Sequence, residues 1–265
     1  MCINPAFAAD SLVPVGPGWK EVAVDRRVGR VPACPDRIDQ AEARFCLVGG
    51  GGLHVQRVDR RAVLTSPEPM SDDELLHPYL APIGAAFAWW SGHEALHAGA
   101  VILGGRAWAI VGEKGAGKST LLAALALTKH AIVTDDMLVI AEGMALAGPR
   151  CVDLRESAAR HLGVGRHTLR PPEPRWRLDL QPVPAASPVA GWIFLSWGDD
   201  SEVTPIAASE LLPRLAANRS MHVEPRNPAE LLDLATLPAW EVRRPAHWAG
   251  LFPVIDLILD LAASA

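Results

Sequence analysis

The sequence predicts an α/β fold over residues 71–265, preceded by a small β-rich extension over residues 1–70. Three observations carry this. Gly112 to Ser119 reads G-x-x-x-x-G-K-S and stands after an apolar run and before a helical one. Around it the order is strand, loop, helix, strand, the signature of an α/β layer. The stretch from Met1 to Pro69 instead combines frequent Gly and Pro with short β-compatible runs.

In chain order, Lys20 to Val24 and Arg61 to Thr65 read as strands, with Gly49 to Gly52 as a turn between strands. Ser71-Asp-Asp-Glu74 has capping-box spacing and starts a helix. Pro78 and Pro82 each remove a backbone donor, so a broken helix is expected up to Trp90. Leu75, Leu76, Leu80, Ile83 and Phe87 are its core residues, and Trp89-Trp90 is read as packing. Leu96 to Leu103 and Ala107 to Val111 form a hairpin turned at Gly104-Gly105, which supplies positive φ angles. Lys118 to Thr128 is a buried helix, and His130 to Val133 and Met137 to Ile140 return as strands. Pro171 to Pro188 reads as a loop, and Gly191 to Trp197 as a buried strand. Asn227, Pro228 and Glu230 suit an N-cap, a first turn and a capping-box partner. Val254, Leu257, Ile258 and Leu261 form the apolar stripe of a last helix, with Asp256 and Asp260 opposite.

Composition bounds the function. The 265 residues suit one large domain or one domain with an appendage, and 49% hydrophobic with 21% charged residues describe a globular protein. A formal net charge of −5 offers no basic field, so nucleic acid is not an expected partner. Cys2, Cys34, Cys46 and Cys151 form no C-x-x-C pair and are expected as reduced thiols. No leader pattern opens the chain and no run of 18 apolar residues occurs, so no membrane partner and a cytoplasmic location are expected. Self-association is left open.

The glycines of Gly112-Glu113-Lys114-Gly115-Ala116-Gly117-Lys118-Ser119, continued by Thr120, let the backbone wrap and aim N–H groups at a phosphate. The helix that follows adds its partial positive charge. Lys118 is expected to bridge the β- and γ-phosphates and Ser119 to ligate Mg²⁺, so the cofactors implied are ATP and Mg²⁺. Glu113 and Lys114 are expected to face solvent. Thr120-Leu-Leu after the loop resembles transporter-type ATPases, but no L-S-G-G-Q signature or apolar strand ending Asp-Glu follows. Asp135 and Asp136 end the short apolar strand after the helix, at the sheet edge where ligands of such folds collect. One carboxylate there can hold Mg²⁺, directly or through water, and the other can accept a proton from an attacking hydroxyl.

Leu96-His97-Ala-Gly-Ala-Val101, the hairpin, Gly112 to Ser119, His130 and Thr134-Asp135-Asp136 together resemble the catalytic domain of HPr kinase/phosphorylase and bacterial HPr kinase-like proteins. The resemblance spans roughly Leu96 to Ile140. It implies a P-loop kinase fold of the HPr kinase C-terminal-domain type. It also implies His97 near the transferred phosphate, Asp135 as general base, and Ser119, Asp136 and a later carboxylate around the metal. Val152-Asp153-Leu-Arg155 resembles that family's Glu-Ile-Arg stretch, which makes Asp153 the later ligand and Arg155 a phosphate or substrate contact. The glycine-rich continuation of the family is absent, since Glu156-Ser-Ala follows. The implied activity is transfer of the ATP γ-phosphate to a Ser/Thr-type hydroxyl of a peptide or protein, a ribosomal peptide precursor among the candidates. A small-molecule hydroxyl kinase and a nucleotide-dependent sensor without transfer are the alternatives.

His93-Glu-Ala-Leu-His97 also satisfies H-E-x-x-H, in which a helix presents two zinc ligands and a glutamate base. Gly92 before it and a hairpin beginning at His97 deny it that helix, so zinc hydrolysis is not expected.

Overall fold

The computed structural model describes residues 22–33, 35–47, 49–168 and 174–264, and it is a mixed α/β structure. Its first layer is a five-stranded sheet of β1 (Ala23–Val28), β2 (Arg37–Ile38), β3 (Glu42–Leu47), β4 (Gly51–Gln56) and β5 (Arg61–Ser66), in the order β1-β5-β4-β3-β2. Of the expected run Lys20 to Val24, residues 20 and 21 lie outside the described residues, as do Cys2 and Cys34. Gly49 and Gly50, both at φ 89, make the turn, while Gly51 and Gly52 belong to β4. Alternation along β5 sends Ala62 and Leu64 inward.

Ser71 closes a complete capping box with Glu74 on the short helix α1 (Asp72–Glu74). A π-helical turn (Leu75–Tyr79) breaks at His77 (φ −151, ψ 120), the residue before Pro78, whose own missing N–H removes a helical donor. Helix α2 (Leu80–Trp90) then tolerates Pro82, since donors in a first turn lack intrahelical partners anyway. Its buried residues Leu80, Ile83, Phe87 and Trp90 join Leu53, Val55 and Leu64 of the first sheet in one core. Both indoles of the tryptophan pair are spent on packing: Trp90 donates to Asp39 O at 2.7 Å and Trp89 to Glu224 O at 2.9 Å.

The central sheet follows. It comprises β6 (Glu94–Leu96), β7 (Ala98–Leu103), β8 (Arg106–Val111), β9 (Ala131–Thr134), β10 (Leu138–Ala141), β11 (Met144–Leu146), β15 (Ala186–Trp197), β16 (Glu202–Pro205) and β17 (Ala239–Arg244). Gly104 (φ 57) and Gly105 (φ 77) turn the β7–β8 hairpin as expected. Strand β8 alternates: Trp108 and Ile110 face a core shared with α3 (Lys118–Leu127) and α7 (Leu251–Ser264). Ala109 and Val111 face a second core shared with α5 (Ala208–Ala217) and α6 (Pro228–Leu234). Helices thus cover both faces of the strand that enters the glycine-rich loop, and each fully buried Leu or Ile there contributes about 1.5–3 kcal/mol. At Gly99 helix α3 approaches β7 so closely that a Cβ would stand 2.3 Å from Leu122 Cδ1.

Three details depart from the sequence reading. The segment expected as a loop over 171–188 contains β14 (Arg175–Asp179), which pairs with β12 (Cys151–Leu154) and β13 (Arg166–Thr168) beside α4 (Glu156–Leu162). Proline frequency concealed it, because the prolines flank Arg-Trp-Arg-Leu-Asp rather than interrupt it. Glu230 does not cap α6: its side chain is buried, and its Oε1 has no hydrogen-bond partner among the described residues. The buried stripe of α7 is Leu251, Val254, Ile255 and Ile258, with Leu257 and Leu261 only half-buried and Asp256 and Asp260 exposed.

Candidate functional site

Five strands deliver their ends to one edge of the central sheet. Strand β8 ends at Val111 and runs directly into the glycine-rich loop that begins at Gly112. Strands β15 and β17 run parallel to it, and their last residues in the pairing, Trp197 and Arg244 respectively, stand opposite each other. Strand β7 is antiparallel and starts just after His97, and β9 ends just before Asp135. The order β17-β15-β8-β7-β9 therefore puts Trp197 and Arg244 on one side of the loop and His97, Asp135 and Asp136 on the other. A cavity of about 580 Å³ opens along this edge.

Gly117 adopts φ 85, ψ 21 at the start of α3, and a Cβ there would meet Arg244 Nη2 at 2.1 Å. Both the left-handed conformation and the close approach require glycine. The N–H groups of Lys118, Ser119 and Thr120, in the first turn, have no intrahelical acceptors and remain for an anion. Glu113 and Lys114 are exposed, as expected. Lys118 Nζ donates to Gly112 O at 2.6 Å and lies 3.2 Å from His97 Nε2. Its pKa is lowered by burial, against the pull of Asp136 and Asp135.

Ser119 Oγ donates to Asp135 Oδ1 at 3.1 Å. Asp135 is only 7% exposed, and its pKa is pushed up to about 7, first by burial and then by the charge of Asp136, against the Ser119 hydrogen bond. Asp136 sits at φ 73, and its two oxygens lie 3.3 Å from His97 Nδ1 and 3.9 Å from His77 Nδ1. Partial burial lowers the His97 pKa and Asp136 opposes it.

Asp153 and Arg155 also line the cavity. The Asp153 carboxylate accepts from Arg177 Nε and Nη2, both at 2.7 Å, while Arg177 Nη1 donates to Asp73 Oδ1 at 2.9 Å. A cation at Asp153 would have to share the carboxylate with that guanidinium. Arg155 stands exposed at the start of α4. Of the loop, Lys114, Gly115, Gly117, Lys118, Ser119 and Thr120 form cavity wall, whereas Gly112, Glu113 and Ala116 do not.

The H-E-x-x-H pentad runs through a strand. Glu94 lies in β6, buried, and is bound by Arg219 Nε at 2.7 Å. Among the described residues no three His, Cys, Asp or Glu side chains cluster as a metal site.

Sequence reasoning missed His77, Trp197, Arg244 and Trp248, all on the cavity wall. None lies in a motif. The His77 signal was the proline after it; Trp197 and Arg244 are placed by strand order, and Trp248 by the 3₁₀ turn (Trp248–Gly250) that follows β17. Arg244 lies against Ala116 O at 3.3 Å and over the Trp197 ring at 4.2 Å, and burial lowers its pKa to about 10. Trp197 Nε1 in turn donates to Gly115 O at 3.1 Å.

No family model and no curated protein matches this chain. Among solved structures it is similar to the HPr(Ser) kinase/phosphatase from Coxiella burnetii, at 14% identity over 64% of this chain and 96% of that one, with a TM-score of 0.34. No helix among the described residues is long and apolar enough to cross a membrane.

Proposed function

We propose that the protein is an ATP-dependent phosphotransferase of the HPr kinase-like type, moving a γ-phosphate to a hydroxyl on a peptide or protein. The observation that carries this reading is the hydrogen bond between Ser119 of the phosphate loop and Asp135 at the end of β9. It brings a buried carboxylate to the place where a triphosphate held by the loop would react. A phosphate cradle alone fits any nucleotide-binding protein; a carboxylate balanced near neutrality beside it adds the means to accept a proton.

In this reading Lys118 and the first-turn N–H groups of α3 bind and neutralise the phosphate chain. Ser119 and Asp136 would hold Mg²⁺, with phosphate oxygens and water completing its shell, which suits a cation that takes only one or two protein carboxylates. Mg²⁺ supplies charge neutralisation of the transferring group when bound. Asp135 takes the proton from the acceptor hydroxyl, whose oxygen forms the new bond to the γ-phosphorus as the bond from that phosphorus to the β,γ-bridging oxygen breaks and ADP leaves with the bonding pair. His97 is steered by Asp136 and stands against Lys118, close to the transferred group. Arg155, exposed at the cavity, suits contact with phosphate or acceptor.

The test is incubation with γ-labelled ATP and hydroxyl-bearing peptide and protein candidates, followed by mass spectrometry. Label on a Ser or Thr side chain, dependent on Mg²⁺ and abolished in Asp135→Asn, is the expected result. Mg²⁺-dependent ATP binding with no transfer to any acceptor would leave a nucleotide-dependent sensor in its place.

A further inference from the structure

We infer that the nucleobase of the bound nucleotide stacks in the part of the cavity walled by Trp197 and Trp248, on the β15–β17 side of the phosphate loop. The inference rests on the phosphotransferase reading, since it takes the loop as the seat of the phosphates. It concerns the end of the ligand that no motif addresses.

Two features of the sheet edge set the direction. The carboxylates and His97 lie on the β7–β9 side of the loop, so the reacting phosphate belongs there. A nucleoside triphosphate is a linear chain, and its nucleoside end must leave on the other side, past β15 and β17. Among the described residues that side carries no carboxylate on the cavity wall, where Trp197, Arg244, Ala246, His247 and Trp248 lie.

The tryptophans themselves are the second observation. Eight of the nine in the chain lie within the described residues, and six of those are buried or partly so. The two exposed ones, Trp197 at 44% and Trp248 at 39%, both line this cavity. Exposed indoles gathered on one cavity wall are what a flat aromatic ligand needs. Each is also braced. His161, which does not line the cavity, stacks on Trp248 at 4.2 Å with an interplanar angle of 12°. Arg244 lies over Trp197, whose indole N–H is tied to Gly115 O of the phosphate loop. Bracing limits ring motion before a ligand arrives and so reduces the entropy lost on stacking. The link through Gly115 joins the base end to the phosphate end. Among the described residues Arg244 Nε has no hydrogen-bond partner, and the guanidinium stays against the Trp197 ring and the loop carbonyl of Ala116.

Calorimetry with ATP and with inorganic tripolyphosphate separates the two ends of the ligand. In Trp248→Ala, ATP affinity should fall about tenfold or more, the scale of one base–aromatic stack, while tripolyphosphate affinity stays within about twofold. Trp248→Phe, which keeps a ring, should retain ATP affinity within about threefold and also guards against a folding defect. Full ATP affinity in both Trp248→Ala and Trp197→Ala would overturn the inference and leave the aromatic wall to the acceptor. Equal losses of ATP and tripolyphosphate in Trp248→Ala would also overturn it, since the ring would then act on the loop and not on the base. Wild-type protein that binds neither ligand would instead defeat the phosphate-loop reading itself. Tight tripolyphosphate binding that Lys118→Ala abolishes keeps that reading intact whatever the tryptophan variants do.

Discussion

Ser119 and Asp135, sixteen residues apart in sequence, share a hydrogen bond of 3.1 Å that fastens the start of helix α3 to the end of β9. The bond explains how a motif of contiguous residues acquires a carboxylate that lies outside it. It also sets what the substitutions below should do.

Lys118→Ala should reduce ATP affinity or turnover severely while leaving the melting temperature close to that of the parent. The lysine is buried, but its ammonium is held by loop carbonyls rather than by a buried anion, so folding depends little on its charge. Titration of the folded variant with ATP checks this. Parental binding together with parental turnover would mean that the loop has another purpose.

Asp135→Asn and Asp136→Asn should fail in different ways. The first keeps shape and polarity but cannot accept the hydroxyl proton, so transfer should fall roughly a hundredfold or more with Mg·ATP affinity largely retained. The second removes charge facing the cation and should weaken Mg²⁺-dependent binding of the triphosphate. Affinity and transfer measured side by side decide it; exchanged phenotypes would exchange the two roles.

Without nucleotide or divalent cation, stability should depend on pH through Asp135. Its carboxyl is raised from the ordinary 3.8 to about 7, so the folded protein holds that proton more tightly than the unfolded chain. The contribution is complete below about pH 4 and is lost as pH rises through 7, on the order of 4 kcal/mol at most. Asp135→Asn should flatten this segment. Denaturant melts of both proteins at pH 5 and pH 8 give the comparison, and equal slopes would show that Asp135 is not perturbed.

Glu94→Gln should destabilise the fold by about 3–5 kcal/mol, because it leaves the Arg219 guanidinium buried without its anion. Loss of a metal should not accompany it. Elemental analysis of purified protein should find little zinc. One zinc per chain that disappears in a His93→Ala/His97→Ala double variant would contradict the assignment of Glu94 as a structural partner.

Some of this site was legible in residues alone. The glycine-rich turn before α3 was, because its requirement is local: glycines that can take φ angles such as 85 at Gly117, directly before the helix that starts at Lys118. Ser71 and Glu74 were, because a capping box closes within four residues. Asp153 was named as a metal ligand on a short resemblance, and the residue that grips it was hidden. Arg177 lies on β14, inside a segment that proline content made look like a loop.

By itself, the sequence determined the order of strand, glycine-rich loop and helix, the broken helix at Pro78, and the pair of carboxylates after the next strand. Each is a matter of near neighbours in the chain, where backbone dihedrals and hydrogen-bond spacing leave few choices. Only the tertiary structure decided that β15 and β17 flank β8 on one side and β7 and β9 on the other. The central strands are buried on both faces, and an apolar strand of that kind accepts any similar strand as its neighbour. Strand order was therefore not readable from the apolar pattern. With it came the placement of Trp197 and Arg244 against the loop and of Asp135 beneath Ser119.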